Sequence, residues 1–513
     1  MSAALSPDGQ DIESPGEAVS ADPPVGSLRE LLYVAIPLMI SAGSLSLMNT
    51  IDRIFLTWYS TDALAAATPA GLLHWTAMSL VIGTATCVTT FVAQYEGAGR
   101  KDRVAAAVWQ GVWLSLAAGL IFLAVVPLSP RIFAWAGHAP AVQELEIAYF
   151  GVLCYGAVPM TLCTALGGFY SGRGRTMTVM GVNIVLALTN IVLDWLLIFG
   201  HGPFPALGMR GAALATVIAY ICAACCYFIL LSRSRVRDEY AFWSAWRWDG
   251  DLFRKLLAIG LPTGGQFFAG IAGFTLFLLI VGRLGPLLQK ATNLAFNLNG
   301  LAFVPLMGLG TAVMAIVGRR VGEGRPALAT RSVWWAFALG GGWMFLFGVC
   351  YYVIPDLMLA PYAAGADPAE FARIRDVAVV LLRYVALFAF FDAMVVVFSC
   401  AIRGAGDTRF PLICTLFTNW GVMLAPVAIA DALGRNTLTF SWIMCTSAIM
   451  ISGHVLLIRF LRGRWKTMRV IESAPRDGTE EYLQARGGRA TREHYQAALN
   501  EVPGVEPEDR DRI

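Results

Sequence analysis

Charged residues are scarce in this 513-residue sequence, because Asp, Glu, Lys and Arg together make up only 14% of it. Soluble domains carry about 25% charged residues. Hydrophobic residues make up 57% of the chain. A soluble protein of this length would form several domains and keep charge on its exposed faces. The composition therefore excludes an ordinary soluble protein and predicts an all-α chain that is largely surrounded by lipid.

Motifs for catalysis and for ATP use are also missing. The sequence contains no GxxxxGK phosphate loop, and its five histidines form no HExxH or paired-ligand pattern. The ten cysteines lie in apolar runs without metal-ligand spacing, and a net charge of +3 is too small to suggest nucleic acid. We therefore predict that the protein is not an enzyme, needs no cofactor and binds no nucleic acid.

Twelve apolar runs are long enough to cross a membrane as helices, which takes about 20 residues each. They lie near 31–58, 72–95, 105–128, 145–170, 176–200, 210–232, 253–281, 291–318, 330–354, 377–402, 409–432 and 438–460. We therefore divide the chain into a disordered tail (1–28), an N-terminal six-helix lobe (29–232), a linker (233–252), a C-terminal six-helix lobe (253–465) and a charged tail (466–513).

Basic residues are concentrated in alternate loops. Arg100, Lys101 and Arg103 follow the second run, and Arg319 and Arg320 follow the eighth. Loops rich in Lys and Arg stay on the cytoplasmic side of a membrane. This pattern predicts a multi-pass protein of the plasma (inner) membrane, with both tails and the linker in the cytoplasm.

The two halves of the sequence resemble each other. Pro37 in AIPLMISAG matches Pro262 in IGLPTGGQF, and Gly97 in FVAQYEGAGR matches Gly322 in IVGRRVGEGR, in both cases 225 positions apart. Each half has an even number of spans, which predicts parallel repeats about an axis along the membrane normal. Such symmetry is typical of transporters that bind substrate between the halves and expose it to each side in turn. A purely structural bundle is the alternative.

Several polar side chains fall at membrane depth, where each ionisable group costs several kcal/mol. Asp52, Asp194 and Asp392 are the acidic ones. Asn190 lies four residues before Asp194, on the same helix face, and Thr216 reaches a similar depth. We expect Asp52, Asn190, Asp194 and Thr216 to converge as a coupling site. Two carboxylates in one desolvated pocket suit either a proton or Na⁺, and the sequence does not choose between them.

Each of these residues also has a structural interpretation. Asp52 precedes Arg53 and could form a surface ion pair with it. Asn190 and Asp194 could make interhelical hydrogen bonds that only hold the bundle together. Asp392 could pair with Arg383, nine residues earlier.

A series of motifs then suggests a family. The motifs are, in order, IPLMIS…IDRIFL, FVAQYEGAGR, GFYSGRGRTMTVMGVNIVLALTNIVLDW, GMRGAALATV, GLPTGG and AIRGAGDTRFPL. With this series the chain resembles the multidrug and toxic compound extrusion (MATE) transporters, nearer their DinF-like than their NorM-like branch. The resemblance implies twelve transmembrane helices in two pseudo-symmetric six-helix lobes that form a V. It also implies efflux of drugs or metabolites in exchange for H⁺ or Na⁺.

The resemblance also assigns roles to residues. Asp52 corresponds to the first-helix carboxylate, Asn190 and Asp194 to its fifth-helix partners, and Thr216 joins them. Asp392 matches an acidic tenth-helix position, which makes it a second-lobe candidate. Where many relatives carry a glutamate in the seventh helix, this chain has Gln266 nearby.

The leading hypothesis is a monomeric antiporter that exports amphipathic, often cationic compounds and contacts only small-molecule substrates and membrane lipids. A flippase of a lipid-linked precursor, from the same wider superfamily, is the alternative function. A membrane-embedded enzyme or a passive scaffold is a third hypothesis, and no catalytic constellation supports an enzyme.

Overall fold

The computed structural model describes residues 24–136, 140–233, 236, 239–363 and 367–472, and within them the chain is helical without strands. Eleven of the described helices are long and apolar enough to cross a membrane, and one bent pair brings the number to twelve. We number them as spans 1 to 12: Leu28–Tyr59, Thr61–Gly97, Lys101–Val125, Pro140–Tyr155 with Ala157–Gly172, Thr176–Phe199, Met209–Leu231, Gly250–Gly282, Pro286–Gly322, Pro326–Val353, Pro368–Ala405, Arg409–Ala432 and Leu438–Leu461. The predicted twelve-helix architecture is thereby confirmed.

Span 4 differs from the single helix that the sequence predicts near 145–170. Its two helices meet at 41°, with Gly156 between them. Pro159 has no backbone N–H, so the carbonyl of Tyr155 cannot accept the next helical hydrogen bond. The bend follows from this missing bond.

The contacts between the two halves have approximate two-fold symmetry. Span 1 packs against span 8 and span 7 packs against span 2, and these pairs are equivalent in the repeat. A Cβ atom added to Gly97 would lie 2.2 Å from the carbonyl oxygen of Arg319, and one added to Gly322 would lie 2.2 Å from that of Gln94. Gln94 and Arg319 are themselves 225 positions apart. The repeat therefore places one glycine of each half directly against the backbone of the other half.

These close contacts lie toward one end of the molecule, which we call the basic end because Arg100, Arg103, Arg319 and Arg320 surround it. Seven described glycines, at which an added Cβ atom would lie within 3.0 Å of the other half, are all within about 21 Å of it, counted at 1.5 Å per residue. They are Gly83, Gly97, Gly260, Gly264, Gly308, Gly318 and Gly322. The lobes thus meet at the basic end, as in the V that the resemblance implies.

Both ends of the described chain lie at the basic end. Glu30, near the start of span 1, pairs with Arg320, and Glu472 pairs with Lys255. The residues up to Glu472 therefore pack against the helices, although the sequence analysis places them in a charged tail. Residues 1–23 and 473–513, which make up most of the two predicted tails, lie outside the described residues.

The linker between the halves rests on span 3. Trp109 Nε1 donates to the carbonyl of Phe242 at 2.8 Å, and Trp113 Nε1 donates to that of Trp246 at 3.2 Å. Asp249 caps span 7 by accepting from the N–H of Leu252 at 2.9 Å. The bond stabilises the start of that helix at Gly250.

Candidate functional site: two neighbouring carboxylates in the N-terminal lobe

The fifth span carries two buried polar residues on one face. Asn190 is 1% exposed and Asp194 is not exposed at all. With its amide oriented to suit its neighbours, Asn190 donates from its nitrogen to Asp194 Oδ2 at 3.0 Å. Its oxygen then accepts from the hydroxyl and the backbone N–H of Thr216 in span 6, both at 3.3 Å. Asn190 therefore joins the Asp194 carboxylate to span 6.

Asp52 completes the group from span 1. Its carboxylate lies close enough to Asp194 for the charge of one to act on the other. One oxygen of each carboxylate is buried without a hydrogen-bond partner. Arg53 is exposed and attracts Asp52 electrostatically, but no ion pair joins these two described residues. The structure thus brings Asp52 together with Asn190, Asp194 and Thr216, and one oxygen of each acidic residue has no partner among the described residues.

Aromatic rings cover the ends of spans 1 and 5 beside these carboxylates. Phe55 has its ring centroid 5.8 Å from that of Trp195 and 6.0 Å from that of Phe199. Tyr59 also packs on Phe199, at 6.4 Å. These ring contacts join the ends of spans 1 and 5 that carry the two acidic residues, although Trp195 and Tyr59 are each 44% exposed.

Sequence reasoning missed one residue of the group. Tyr149 in span 4 is 7% exposed and lies close enough to Asp52 and Asp194 for both charges to act on its phenol. In the sequence it stands in IAYFGVLCYG, where it cannot be told from a packing or interfacial aromatic residue. Only the packing of span 4 in the structure shows that its ring lies near the two carboxylates.

The second-lobe candidates are not joined to each other. Asp392 in span 10 accepts a hydrogen bond from Asn299 of span 8 at 3.4 Å, and each of the two is 9% exposed. Gln266 instead donates to Ser399 at 3.3 Å, which lies seven residues, or about 10 Å, further along span 10. The ion pair between Asp392 and Arg383 that the sequence left open does not form, because Arg383 is exposed and lines a shallow surface cavity.

A cavity of about 290 Å³ lies mainly within the N-terminal lobe, about two helical turns from the carboxylates along spans 1 and 5. Spans 1, 2, 4, 5 and 6 line it, and Met307 and Thr311 of span 8 close it from the other lobe. No Asp, Glu, Lys or Arg lines this cavity. Its polar groups are neutral, and two of them, Asn183 and Ser41, form a hydrogen bond of 2.5 Å.

The cavity and the carboxylates share two helices. Asn183 lies seven residues before Asn190 on span 5, and Leu45 lies seven residues before Asp52 on span 1. Seven residues span about 10 Å of helix, or two turns. A movement of spans 1 and 5 at the carboxylates therefore also changes the shape of the cavity.

The chemistry of the site suits a hard cation or a proton. Two carboxylates, an amide oxygen and a hydroxyl are the oxygen ligands that such cations prefer. Among the residues that the structure describes, no three His, Cys, Asp or Glu side chains cluster as ligands for a metal ion. For Asn190 to offer its oxygen to a Na⁺ beside the carboxylates, its amide would have to turn away from the orientation that joins Asp194 to Thr216.

The sequence model of the MatE family matches residues 37–196 and 262–429, which is more than half of the chain. The chain belongs to this family of membrane proteins. The two matched segments begin 225 positions apart, as the internal repeat does. The family prediction is thereby confirmed, whereas the placement nearer the DinF-like branch stays a prediction.

The similar curated proteins are named as multidrug resistance proteins. The probable multidrug resistance protein NorM of Thermotoga maritima is 24% identical, over 86% of this chain and 94% of that protein. The multidrug resistance protein PmpM of Pseudomonas aeruginosa is 30% identical, over 77% of this chain and 82% of that protein. A probable NorM of Deinococcus radiodurans is 30% identical, over 85% and 95%.

Solved structures share the fold. An outward-facing multidrug resistance MATE family transporter of the MOP superfamily matches with a TM-score of 0.77 and 20% identity, over 88% of this chain and 98% of that chain. A MOP superfamily transporter from Pyrococcus furiosus matches with a TM-score of 0.76 and 19% identity, over 87% and 98%. Together with the helices above, these matches confirm the predicted MATE-like fold.

Proposed function

We propose that this chain is a secondary active antiporter that exports amphipathic, often cationic organic compounds or metabolites in exchange for H⁺ or Na⁺. The names of its relatives support the export of compounds. The observation that carries the coupling is the pair of half-buried Asp52 and buried Asp194, whose buried, unpartnered oxygens lie on two helices that also line the cavity.

The cycle that we propose follows from the electrostatics of this pair. Without a cation, two neighbouring carboxylates in an apolar surrounding repel each other. Binding of H⁺ or Na⁺ removes that repulsion and lets spans 1 and 5 pack more closely. Because these spans also line the cavity, the ion and the cargo favour different shapes of the same lobe.

The basic end is the cytoplasmic end in this proposal, because loops rich in Lys and Arg stay in the cytoplasm. Both chain termini then face the cytoplasm, and the protein lies in the plasma (inner) membrane as a monomer. Rocking of the two lobes about their contacts at the basic end would open the cavity to each side in turn.

Efflux from proteoliposomes tests the proposal. The purified protein is reconstituted with a fluorescent lipophilic cation, and either a pH gradient or a Na⁺ gradient is imposed. We expect gradient-driven transport in the wild type and none in Asp52→Asn, which keeps its shape but cannot hold the ion. Asp376→Asn is the matched control, because Asp376 is 73% exposed and, among the described residues, forms an ion pair only with its neighbour Arg375.

Full gradient-driven efflux by Asp52→Asn, at wild-type levels of inserted protein, would remove the pair from the mechanism. The ion that drives transport identifies H⁺ or Na⁺. Movement of a fluorescent lipid between the leaflets, without movement of the cation, would support the flippase alternative instead.

A further inference from the structure

The closest link between the two halves at the basic end is an ion pair. Arg320 of span 8 is 3% exposed and pairs with Glu30 of span 1. It also pairs with Glu323 of its own helix end at 2.6 Å. Because the arginine is buried, loss of Glu30 would leave part of its charge unpaired in the interface.

The repeat predicts a second contact of this kind on the other side of the symmetry axis. Residues 225 positions from Glu30 and Arg320 are Lys255 in span 7 and Tyr95 in span 2. An ammonium and a phenol cannot form an ion pair. The equivalent position therefore lacks a carboxylate in either half.

The end of the described chain supplies that carboxylate. Glu472 accepts a hydrogen bond from Lys255 Nζ at 2.5 Å and another from the Tyr95 hydroxyl at 3.0 Å. Arg100 and Arg103, which follow span 2, lie 3.6 and 3.9 Å from the same carboxylate. Glu472 thus contacts the C-terminal lobe through Lys255 and the N-terminal lobe through the other three.

The residues before Glu472 are held in the interface as well. Val470 and Ile471 are each 8% exposed, and the N–H of Val470 donates to Gln94 Oε1 at 2.9 Å. Gln94 in turn donates to the carbonyl of Gly404 in span 10 at 3.1 Å. A Cβ atom on Gly406 would lie 2.5 Å from Val470, so this glycine is needed for the close approach. We call residues 468–472 the C-terminal segment.

We propose that the C-terminal segment is a working part of the contact that closes the basic end, with Glu472 as the positioning residue that replaces the carboxylate missing from the repeat. The basic end then opens only when Glu472 leaves either Lys255 or the cluster of Tyr95, Arg100 and Arg103. This role in the transport cycle rests on the proposed function, but its test measures the opening itself and needs no substrate or ion gradient.

The distance between the lobes at the basic end is the quantity to measure. Asp102 and Ala327 are exposed, lie one in each half and are 225 positions apart. Each is changed to Cys and carries a nitroxide, in full-length protein whose more accessible cysteines (Cys222, Cys225, Cys226 and Cys350) are replaced by Ser. Double electron–electron resonance in lipid nanodiscs then gives the ratio of open to closed molecules.

We expect Glu472→Gln to raise this ratio about five-fold, because the variant loses charge-assisted hydrogen bonds that are partly exposed to solvent. Glu30→Gln removes the equivalent, more buried pair and is expected to raise the ratio at least as much. Glu370→Gln is the matched control, since Glu370 also accepts from a lysine, Lys290, at 2.5 Å, but between exposed side chains away from the basic end. It should leave the ratio unchanged.

A Glu472→Gln variant with the wild-type distance distribution overturns the proposal. If the same variant lowers only the unfolding temperature, the C-terminal segment anchors the chain without closing the basic end, and the proposal is likewise wrong. Glu472→Asp is the control for misfolding, because it keeps the charge. Its ratio of open to closed molecules is expected to lie between those of the wild type and Glu472→Gln. These outcomes do not depend on the Asp52 experiment, so either proposal can fail alone.

Discussion

The crossing of Gly97 and Gly322 at the basic end allows a quantitative prediction. In Gly97→Ala the new Cβ atom would lie 2.2 Å from the carbonyl oxygen of Arg319, and also 3.0 Å from the backbone nitrogen of Glu323. A carbon and an oxygen in ordinary contact lie about 3.4 Å apart, so the helices must separate by about 1 Å. Overpacking of this kind costs about 2 kcal/mol.

This overpacking destabilises only the closed arrangement, since the two backbones move apart when the basic end opens. About 2 kcal/mol corresponds to a shift of roughly thirty-fold in the ratio of open to closed molecules. Gly322→Ala should have the same effect, because its Cβ atom would meet the carbonyl oxygen of Gln94 at the same 2.2 Å. The spin labels at positions 102 and 327 measure both variants.

Gly181→Ala is the control for a change of glycine to alanine within a span. A Cβ atom there has no neighbour within 4 Å, and alanine favours the helix, so the distance distribution should stay as in the wild type. A closed wild-type-like distribution in both Gly97→Ala and Gly322→Ala would refute the symmetric contact. If only one of the two variants opens the basic end, the contact does not have two-fold symmetry.

The remaining predictions concern the coupling site and the C-terminal segment. Asn190→Ala removes the donor to the buried Asp194 carboxylate and should lower the free energy of unfolding by about 1–3 kcal/mol, whereas Thr216→Val should lower it by only about 1 kcal/mol. Chemical unfolding in micelles measures both values. Equal losses of unfolding free energy in the two variants would contradict the bridging role of Asn190. Burial alone would raise the pKa of Glu472, but hydrogen bonds from Lys255, Tyr95 and the backbone, together with the Lys255 charge, lower it from 4.5 to about 2. A lowered pKa means that the carboxylate stabilises the closed end above its ordinary pKa and loses this effect as the pH falls toward 2. The fraction of molecules with an open basic end should therefore differ between Glu472→Gln and the wild type by a constant amount from about pH 8 to about pH 5.5, and this difference should shrink below about pH 4.5. A difference that disappears already near neutral pH would contradict this prediction.

Much of the fold could be predicted from the sequence because the membrane restricts it. Apolar runs of about 20 residues mark the spans, and the offset of 225 between Gly97 and Gly322 indicates the symmetry that the contacts of the two halves show. Asp194 and Asn190 could be singled out since polar groups in a span are costly.

What the sequence could not show depends on packing at a distance. The packing of span 4 brings Tyr149 close to the carboxylates, and nothing in the neighbouring sequence distinguishes that tyrosine from others. Asn299 is one of three asparagines in ATNLAFNLNG, so its contact with Asp392 could not be read from spacing. The position of Glu472 depends on basic residues that lie more than 200 positions away in the chain.

The neutral lining of the cavity has a consequence for selectivity under the proposed function. Because the acidic pair lies about two helical turns from the cavity, a cargo molecule there does not compete with the driving ion for the same oxygens and needs no positive charge to bind. Ion stoichiometry is then a property of spans 1 and 5 and stays the same from one cargo to the next. A single lobe can therefore bind many different cargo molecules and still exchange each of them for the same number of ions.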